Sequence, residues 1–452
     1  MDKSLLLDLY ELTMAQAYFV YKPQARATFD LFVRRLPKNR SFLVACGLED
    51  ILQYIKNWKL SASSLDYLRS LGTFSEEFLE YLCGFKFSGD VFAMPEGEIF
   101  FADEPVIRVT APIIEAQILE SFLLNTINLQ SAIASKAVRV VLSANKRVVF
   151  DFSLRRTHGF DAALHAARSS YIAGCYGTSN CLAGKLYGIP IAGTMAHSFV
   201  LAFKNELDSF LAYAETFPKR SVLLVDTYDT KNGIKNAITI GLYLKEKKYN
   251  LSGIRLDSGD IVSLSKYARV MLDKAGLKYV KIFASGNLDE FKIRDLLRRG
   301  ACVDNFGVGT NMGTSIDAPS LDVIYKISEV TDASGKFIPA MKLSKAKVTY
   351  PGRKQVFRVQ NNSGKFTRDI LGIAGEGLPG KQLLKKVIGR GRIIYKSPGV
   401  KKIREFTHSN LDKFPSSLKN ISGKYKYPVL ISPKLRSLRS VLSQQLRNNK
   451  IN

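Results

Sequence analysis

Residues able to do chemistry recur at one kind of place in this sequence, directly after short apolar runs. Arg147–Phe152 leads into Ser153-Leu154-Arg155-Arg156-Thr157-His158-Gly159, and Ile189–Ala192 into Gly193-Thr194-Met195-Ala196-His197-Ser198. Val222–Val225 is followed by Asp226-Thr227-Tyr228-Asp229, and Gly253–Leu256, which carries Arg255, by Asp257-Ser258-Gly259-Asp260. Tyr279–Ala284 ends in Ser285-Gly286-Asn287, and Val303–Phe306 in Gly307-Val308-Gly309-Thr310-Asn311-Met312-Gly313-Thr314-Ser315. The planar guanidinium of arginine suits carboxylates and phosphates. The last loop suits a phosphate, because glycines let backbone N–H groups approach an anion and Thr or Ser adds a hydroxyl. Each feature alone is weak. A lone His is structural more often than catalytic, Asp after a strand often caps the next helix, and Gly-rich turns usually serve backbone geometry. Six consecutive run ends carrying such groups form a stronger signal.

These groups need a frame. The runs Arg147–Phe152, Ile189–Ala192, Val222–Asp226, Gly253–Leu256, Tyr279–Ala284 and Val303–Gly307 read as strands. Ala162–Ile172, Ser198–Phe217, Asn232–Glu246, Asp260–Ala275 and Asp289–Arg299 read as the helices between them. Short apolar strands alternating with amphipathic helices imply a parallel sheet covered by helices. Six units at this spacing suit a closed or nearly closed α/β barrel, whose active site lies at the strand ends and whose phosphate site follows the late strands. The pattern alone therefore points to a barrel enzyme acting on a phosphorylated sugar.

The flanks differ. Asp8 to Ala15 looks like a helix start, Ala27–Val33 like a strand and Glu115–Leu129 like a largely buried helix. After about Tyr325, turn signals such as Pro351-Gly352 and Asn361-Asn362-Ser363-Gly364 separate β-like runs at Gln355–Gln360 and Val387–Tyr395. The expected organisation is 1–137 and 325–452 forming one domain from both chain ends, with a catalytic barrel at 138–324. A length of 452 residues and 46% hydrophobic content support several packed domains.

Charge and cysteines bound the function class. The 66 Lys and Arg against 40 Asp and Glu give +26, an attraction for anions. The stretch from Lys381 onward is heavily basic but keeps interspersed Ile, Phe, Leu and Val, so it reads as a solvated face of a folded domain. The five cysteines lack any C-x-x-C pair, which argues against a disulfide framework or structural zinc. Cys175 and Cys181 are expected to be small buried apolar residues. Charges interrupt the N-terminal apolar stretch at once, and no run is long enough to cross a bilayer. A cytoplasmic protein is expected.

Five motifs then carry a resemblance. Asp8-Leu9-Tyr10-Glu11-Leu12-Thr13-Met14, Phe152 to Gly159, Gly193 to Ser198, Arg255 to Asp260 and Pro351-Gly352-Arg353-Lys354-Gln355-Val356 resemble nicotinate phosphoribosyltransferases, in the family's order and across most of the chain. The resemblance implies a type II phosphoribosyltransferase fold: an irregular α/β barrel beside an α/β open-faced sandwich. It also implies a homodimer with active sites shared between subunits, and nicotinic acid and phosphoribosyl pyrophosphate as substrates. ATP is implied as co-substrate and magnesium on the pyrophosphate.

The resemblance assigns roles as well. His197 matches the histidine that ATP phosphorylates, and Arg255 the residue that engages the pyridine carboxylate. Thr194 adds a hydroxyl, while Phe152 and the partner subunit's Tyr10 sandwich the ring. Gly307, Gly309 and Thr310 hold the ribose 5-phosphate, and Asp226 and Asp257 bind ribose hydroxyls or magnesium pyrophosphate. Arg155, Thr178, Ser179, Gly286 and Asn287 complete the substrate-binding set, with Asn287 standing where many relatives carry Asp. The resemblance leaves Arg156 and His158 without roles. Asp322 stands where a small residue is expected. Three rival readings differ in what they explain. A nicotinamide-using sister enzyme shares most motifs, but Ser179 stands where such relatives carry Asp. A sugar-phosphate aldolase or isomerase accounts for neither Tyr10 nor His197. A basic RNA-binding protein rests on charge alone and lacks RNA-recognition motifs.

Overall fold

The computed structural model describes residues 3–344, 349–422 and 425–448. The chain divides into two compact units, Ile133–Pro319 and the combination of Met1–Ala132 with Ser320–Asn452. The first boundary falls inside the helix Glu120–Ser143.

The unit Ile133–Pro319 is built on six parallel strands. In chain order they are Val148–Asp151, Gly177–Thr178, Val222–Leu224, Gly253–Leu256, Lys281–Ala284 and Asn305–Val308. In the sheet they run second, first, sixth, fifth, fourth, third, so the first strand pairs directly with the last. Ile191 adds one isolated parallel bridge to Thr178 beyond the second strand. The ladder is therefore open only between Ile191 and the third strand. Leu223, Leu224, Ile254, Leu256, Ile282, Ala284, Phe306 and Val308 are fully buried. Burial of this kind is what apolar, non-alternating strands require, since side chains on both faces are covered.

Two expectations change here. Ile189–Ala192 is not a strand, and the second strand is the two-residue Gly177–Thr178 instead. Ser198–Phe217 is not one helix: His197–Leu201 and Glu206–Thr216 are separate, and Asn205 caps the second by accepting from Asp208 N at 2.9 Å. The other connecting helices are Phe160–Ile172, Cys181–Tyr187, Thr230–Glu246, Ile261–Lys274 and Glu290–Arg298. Asp229, Asp260 and Asp289 cap the last three through their side chains. Cys175 is buried as expected, but Cys181 is exposed, because it opens a helix that buries only Ala183.

The other unit centres on a seven-stranded antiparallel sheet. Its order is Phe337–Pro339, Val323–Thr331, Arg26–Val33, Pro105–Pro112, Asp90–Ala93, Lys385–Gly389 and Arg392–Ile393, so strands from both chain ends share it. Alternation puts Ala27, Phe29, Leu31, Val91, Ala93, Ile107 and Val109 into one apolar cluster with the helices. The alternate positions are polar: Thr28 donates to Glu329 at 2.8 Å and Asp30 pairs with Lys354 at 2.7 Å. A four-stranded sheet adds Lys381–Gln382, Lys354–Gln360, Phe366–Ile373 and Val429–Ile431. Within it the fully buried Arg358 pairs with Asp369 and with Glu98, each at 2.6 Å. Tyr10 sits on the helix Leu9–Tyr21. The helix expected at Glu115–Leu129 is two helices, Ile113–Gln117 and Glu120–Ser143. The run Val387–Tyr395 is likewise split between two short strands at a turn.

Candidate active site

The C-terminal ends of the parallel strands carry the residues singled out above. Asp226 follows the third strand and is largely buried. Its Oδ2 accepts from the Asp257 amide at 3.0 Å and from the Ser258 hydroxyl at 2.6 Å, while its Oδ1 is buried without a hydrogen-bond partner. Asp257 in turn accepts from the Ser285 hydroxyl. A chain of polar contacts thus ties the third, fourth and fifth strand ends together. Neither Asp226 nor Asp257 caps a helix, because Asp229 and Asp260 do so three residues later. Helix capping, a common role for an aspartate after a strand, thus falls to Asp229 and Asp260 and not to Asp226 or Asp257.

Arg255 lies on the fourth strand, mostly buried. Its Nη1 donates to the Thr194 hydroxyl, and its Nε stands 3.9 Å from Asp257 Oδ1 with no hydrogen-bond partner. Burial lowers its pKa, Asp257 and Asp226 work against that, and the repulsion of Arg155 adds to it. The site therefore holds a partly desolvated guanidinium beside two carboxylates. His197 opens the helix His197–Leu201, and its Nδ1 lies 3.1 Å from the Thr227 hydroxyl.

Phe152 follows the first strand, its amide bonded to the Val308 carbonyl at 2.9 Å. Its ring fills the space beside Gly307: a Cβ at Gly307 would lie 2.4 Å from the ring edge. Glycine there is required by the aromatic face. Gly286, at φ +93°, packs on the Asp257 carbonyl, where a Cβ would lie at 1.9 Å. Asn287 has an exposed side chain and a left-handed φ of 48°. Its carbonyl accepts from Lys292 Nζ at 2.8 Å and Asn311 Nδ2 at 3.3 Å, which joins the loops after the fifth and sixth strands. Gly309 and the half-buried Thr310 begin the short turn Thr310–Gly313.

Thr178 is fully buried and its hydroxyl is occupied, donating to Asp151 Oδ2 at 2.7 Å and accepting from Asn180 N at 3.0 Å. Ser179 is half-buried, and its amide donates to the Asp151 carbonyl at 2.9 Å. The helix that follows is capped by Asn180, not Ser179, through Ala183 N at 3.1 Å. Arg155, Arg156 and His158 are exposed on the loop after the first strand. The expected site residues other than Tyr10 all lie in the unit Ile133–Pro319, most of them just after its parallel strands, with Thr194 and His197 after the single bridge at Ile191; Tyr10 belongs to the other unit. Tyr10 is 44% exposed there, and partial burial with Glu120, Glu11 and Asp8 nearby raises its phenol pKa.

Sequence reasoning gave no role to Thr227, Ser258 and Ser285, though it placed them in the loops after the apolar runs, and none to Asp151. Asp151 carried one usable signal, a charged residue inside an otherwise apolar run. Among the described residues no group of three His, Cys, Asp or Glu side chains is placed to hold a metal ion.

Comparison with known proteins gives the family. Family models match the N-terminal domain of nicotinate phosphoribosyltransferase at residues 5–128, the nicotinate phosphoribosyltransferase family at 148–369 and the family's C-terminal domain at 378–439. The nicotinate phosphoribosyltransferase pncB2 of Mycobacterium tuberculosis is 47% identical over 434 residues, covering 96% of this chain and 92% of the relative. The Bacillus subtilis nicotinate phosphoribosyltransferase is 39% identical over 459 residues, covering 95% and 93%. The crystal structure of human nicotinic acid phosphoribosyltransferase superposes with a TM-score of 0.86 at 28% identity, covering 96% of this chain and 99% of that one. The chain belongs to the nicotinate phosphoribosyltransferase family.

Proposed function

We propose that the chain joins nicotinic acid to phosphoribosyl pyrophosphate, releasing nicotinate mononucleotide and pyrophosphate, as a step in NAD salvage. The observation that carries this reading is the mostly buried Arg255 guanidinium, which donates to the Thr194 hydroxyl on the same unit whose Thr178–Asn180 turn carries the uncharged Ser179. A guanidinium there stabilises the carboxylate of nicotinic acid, and a neutral hydroxyl can donate to it. The neutral amide of nicotinamide would leave that charge without a partner. The same contrast disfavours the nicotinamide-using alternative.

Bond formation is displacement at the anomeric carbon by the pyridine nitrogen. Phe152, seated on Gly307, offers a flat face to the ring and holds the nitrogen in line. Gly307, Gly309 and Thr310 receive the 5-phosphate through backbone N–H groups and a hydroxyl. Asp226 and Asp257 face the ribose hydroxyls and favour the positive charge that develops on the ribose as pyrophosphate departs. Two carboxylates, one with an unpartnered buried oxygen, fit magnesium that keeps water and substrate phosphates as its other ligands. Such an ion would neutralise the leaving pyrophosphate.

ATP coupling belongs to the same reading. His197, oriented by Thr227, would accept the γ-phosphoryl group: a nitrogen–phosphorus bond forms and ADP leaves. Hydrolysis of that phosphohistidine would then drive turnover. The fold in this proposal is an irregular α/β barrel with an α/β open-faced sandwich. Pairing of the first strand with the last supports the barrel. So do the Arg255–Thr194 and His197–Thr227 contacts, which join residues on either side of the one opening in the ladder. The exposed Tyr10, within the Asp8–Met14 motif that the family shares, fits a homodimer in which it reaches the partner's site. Five cysteines, all free, suit the reducing cytoplasm.

The deciding assay offers nicotinic acid and nicotinamide, each with phosphoribosyl pyrophosphate, with and without ATP. Pyrophosphate release with nicotinic acid, stimulated by ATP, is expected. Release with nicotinamide at a comparable rate would overturn the substrate assignment.

A further inference from the structure

We propose that Asp151 is a positioning residue that holds the pyridine side and the phosphate side of the site in register; this rests on the site reading above. Asp151 ends the first strand, flanked in the sheet by Thr178 of the second strand and Val308 of the sixth. It is 1% exposed. Its Oδ1 accepts from the Ser153 amide at 3.0 Å and the Ser153 hydroxyl at 2.6 Å, and its Oδ2 from the Thr178 hydroxyl at 2.7 Å. Its own carbonyl accepts from Ser179 N at 2.9 Å. Among the described residues no Lys or Arg pairs with it.

A buried carboxylate without a cation is a poor device for stability alone, because desolvation opposes it. Burial does raise the Asp151 pKa, while the bonds from Ser153 and Thr178 oppose the rise. What the charge supplies is acceptor capacity: three donors converge on it, one from the neighbouring strand and two from the turn that follows its own. One arm runs through Thr178, whose oxygen also receives the Asn180 amide, so its proton is committed to Asp151. That arm sets the backbone of Ser179. The other arm runs through Ser153, which packs so closely on Gly313 that a Cβ there would lie 2.3 Å from the Ser153 Cβ. That arm sets the loop carrying Gly309 and Thr310. Phe152 lies between Asp151 and Ser153 in sequence, inside the turn that the second arm closes.

The arms are separable by experiment. Thr178→Val keeps shape and removes the first donor; Ser153→Ala removes the second hydroxyl. Displacements well under an ångström at a reacting group cost activity steeply, and about tenfold in KM is the scale expected for one arm. Thr178→Val should raise KM for nicotinic acid about tenfold and leave KM for phosphoribosyl pyrophosphate within about twofold. Ser153→Ala should do the reverse. Asp151→Asn, which replaces one acceptor oxygen by a donor NH2 and removes the charge from the other, should shift both, and adding Thr178→Val to it should cost less on nicotinic acid than Thr178→Val costs alone, because that arm is already weakened. Should Asp151→Asn not fold, the split between the two single variants decides. Equal shifts in both KM values from either single variant, or an Asp151→Asn enzyme with both constants unchanged, would overturn the proposal. A wild-type enzyme inactive on these substrates would instead overturn the functional reading on which it rests.

Discussion

Arg255 and Thr194 are 61 positions apart, yet the guanidinium of one donates to the hydroxyl of the other. The bond crosses the one gap in the parallel ladder, between the loop after Ile191 and the strand Gly253–Leu256 with its neighbour Val222–Leu224. The place where the sheet lacks backbone pairing is thus where side chains with chemistry meet.

Arg255→Gln removes the charge while keeping a donor within reach of Thr194. A hydrogen bond to a charged group contributes about 1.5–3 kcal/mol, which is about one to two decades in kcat/KM for nicotinic acid. Steady-state kinetics with nicotinic acid varied at saturating phosphoribosyl pyrophosphate checks this. A loss of less than threefold would remove Arg255 from the carboxylate site.

His197→Ala should abolish both ATP hydrolysis and acid-labile phosphate on the protein. Slow ATP-independent transfer should survive, since the ring and ribose contacts remain. Labelling with γ-phosphate-labelled ATP reads this directly, and undiminished labelling of the variant rules out the role.

Tyr10 and Arg255 lie in different units of the chain. If Tyr10 completes the partner's site, Tyr10→Ala and Arg255→Ala homodimers should each be impaired. Heterodimers formed by subunit exchange should regain activity, because one of their two sites is intact. Exchanged mixtures that stay as inactive as the parents would show that each site is built from a single subunit.

Ser179→Asp places a carboxylate beside the carboxylate of nicotinic acid. Like-charge repulsion in a partly desolvated pocket costs roughly 2–5 kcal/mol. That corresponds to roughly one and a half to three and a half decades in kcat/KM. Nicotinic acid activity should fall by that factor, and a trace of nicotinamide activity should appear. Since Asn180 and not Ser179 caps the next helix, the melting temperature should change little. A variant that keeps wild-type kcat/KM for nicotinic acid would place Ser179 away from the substrate.

Glu11 gives a stability prediction. Its carboxyl is fully buried beside Ser121, and burial raises its pKa to about 7, with the Ser121 bonds working against the rise. A raised acid binds its proton more tightly in the folded state. The folded chain therefore holds more protons between the unfolded pKa and about pH 7, and stability falls as pH rises through that window. Glu11→Gln should flatten this slope and raise Tm above about pH 7 relative to wild type. Calorimetric scans at about pH 5, 6, 7 and 8 test it; an unchanged slope in Glu11→Gln would assign the pH dependence to other groups.

How much of this was legible in the chain depends on range. Apolar runs followed by polar loops marked five of the six parallel strands, because a strand buried on both faces needs continuous apolar residues whatever surrounds it. The motifs around His197, Arg255 and Phe152 named the family, and most of the site residues stood at those strand ends. Gly177–Thr178 was invisible, since two residues carry no period. Ile189–Ala192 looked like a strand because its composition is apolar, but it makes a single bridge, the amides of Thr178 and Ala192 donating to the Pro190 and Thr178 carbonyls, and no continuing ladder. The asparagine and aspartate side chains show the limit most clearly. Composition cannot distinguish Asp226 from Asp229, or Asp257 from Asp260, as cap or site residue; the position where each helix begins does that. Asp151 is the same case within a strand. Its role follows from which donors the register brings to it, Thr178 from one neighbouring strand and Ser153 from the turn beside Gly313. Local periodicity and residue type were enough to set the elements and the class of chemistry. Which donor reaches which acceptor was decided only when strands far apart in sequence were laid side by side, because hydrogen bonds depend on distances of a few tenths of an ångström that no local pattern encodes.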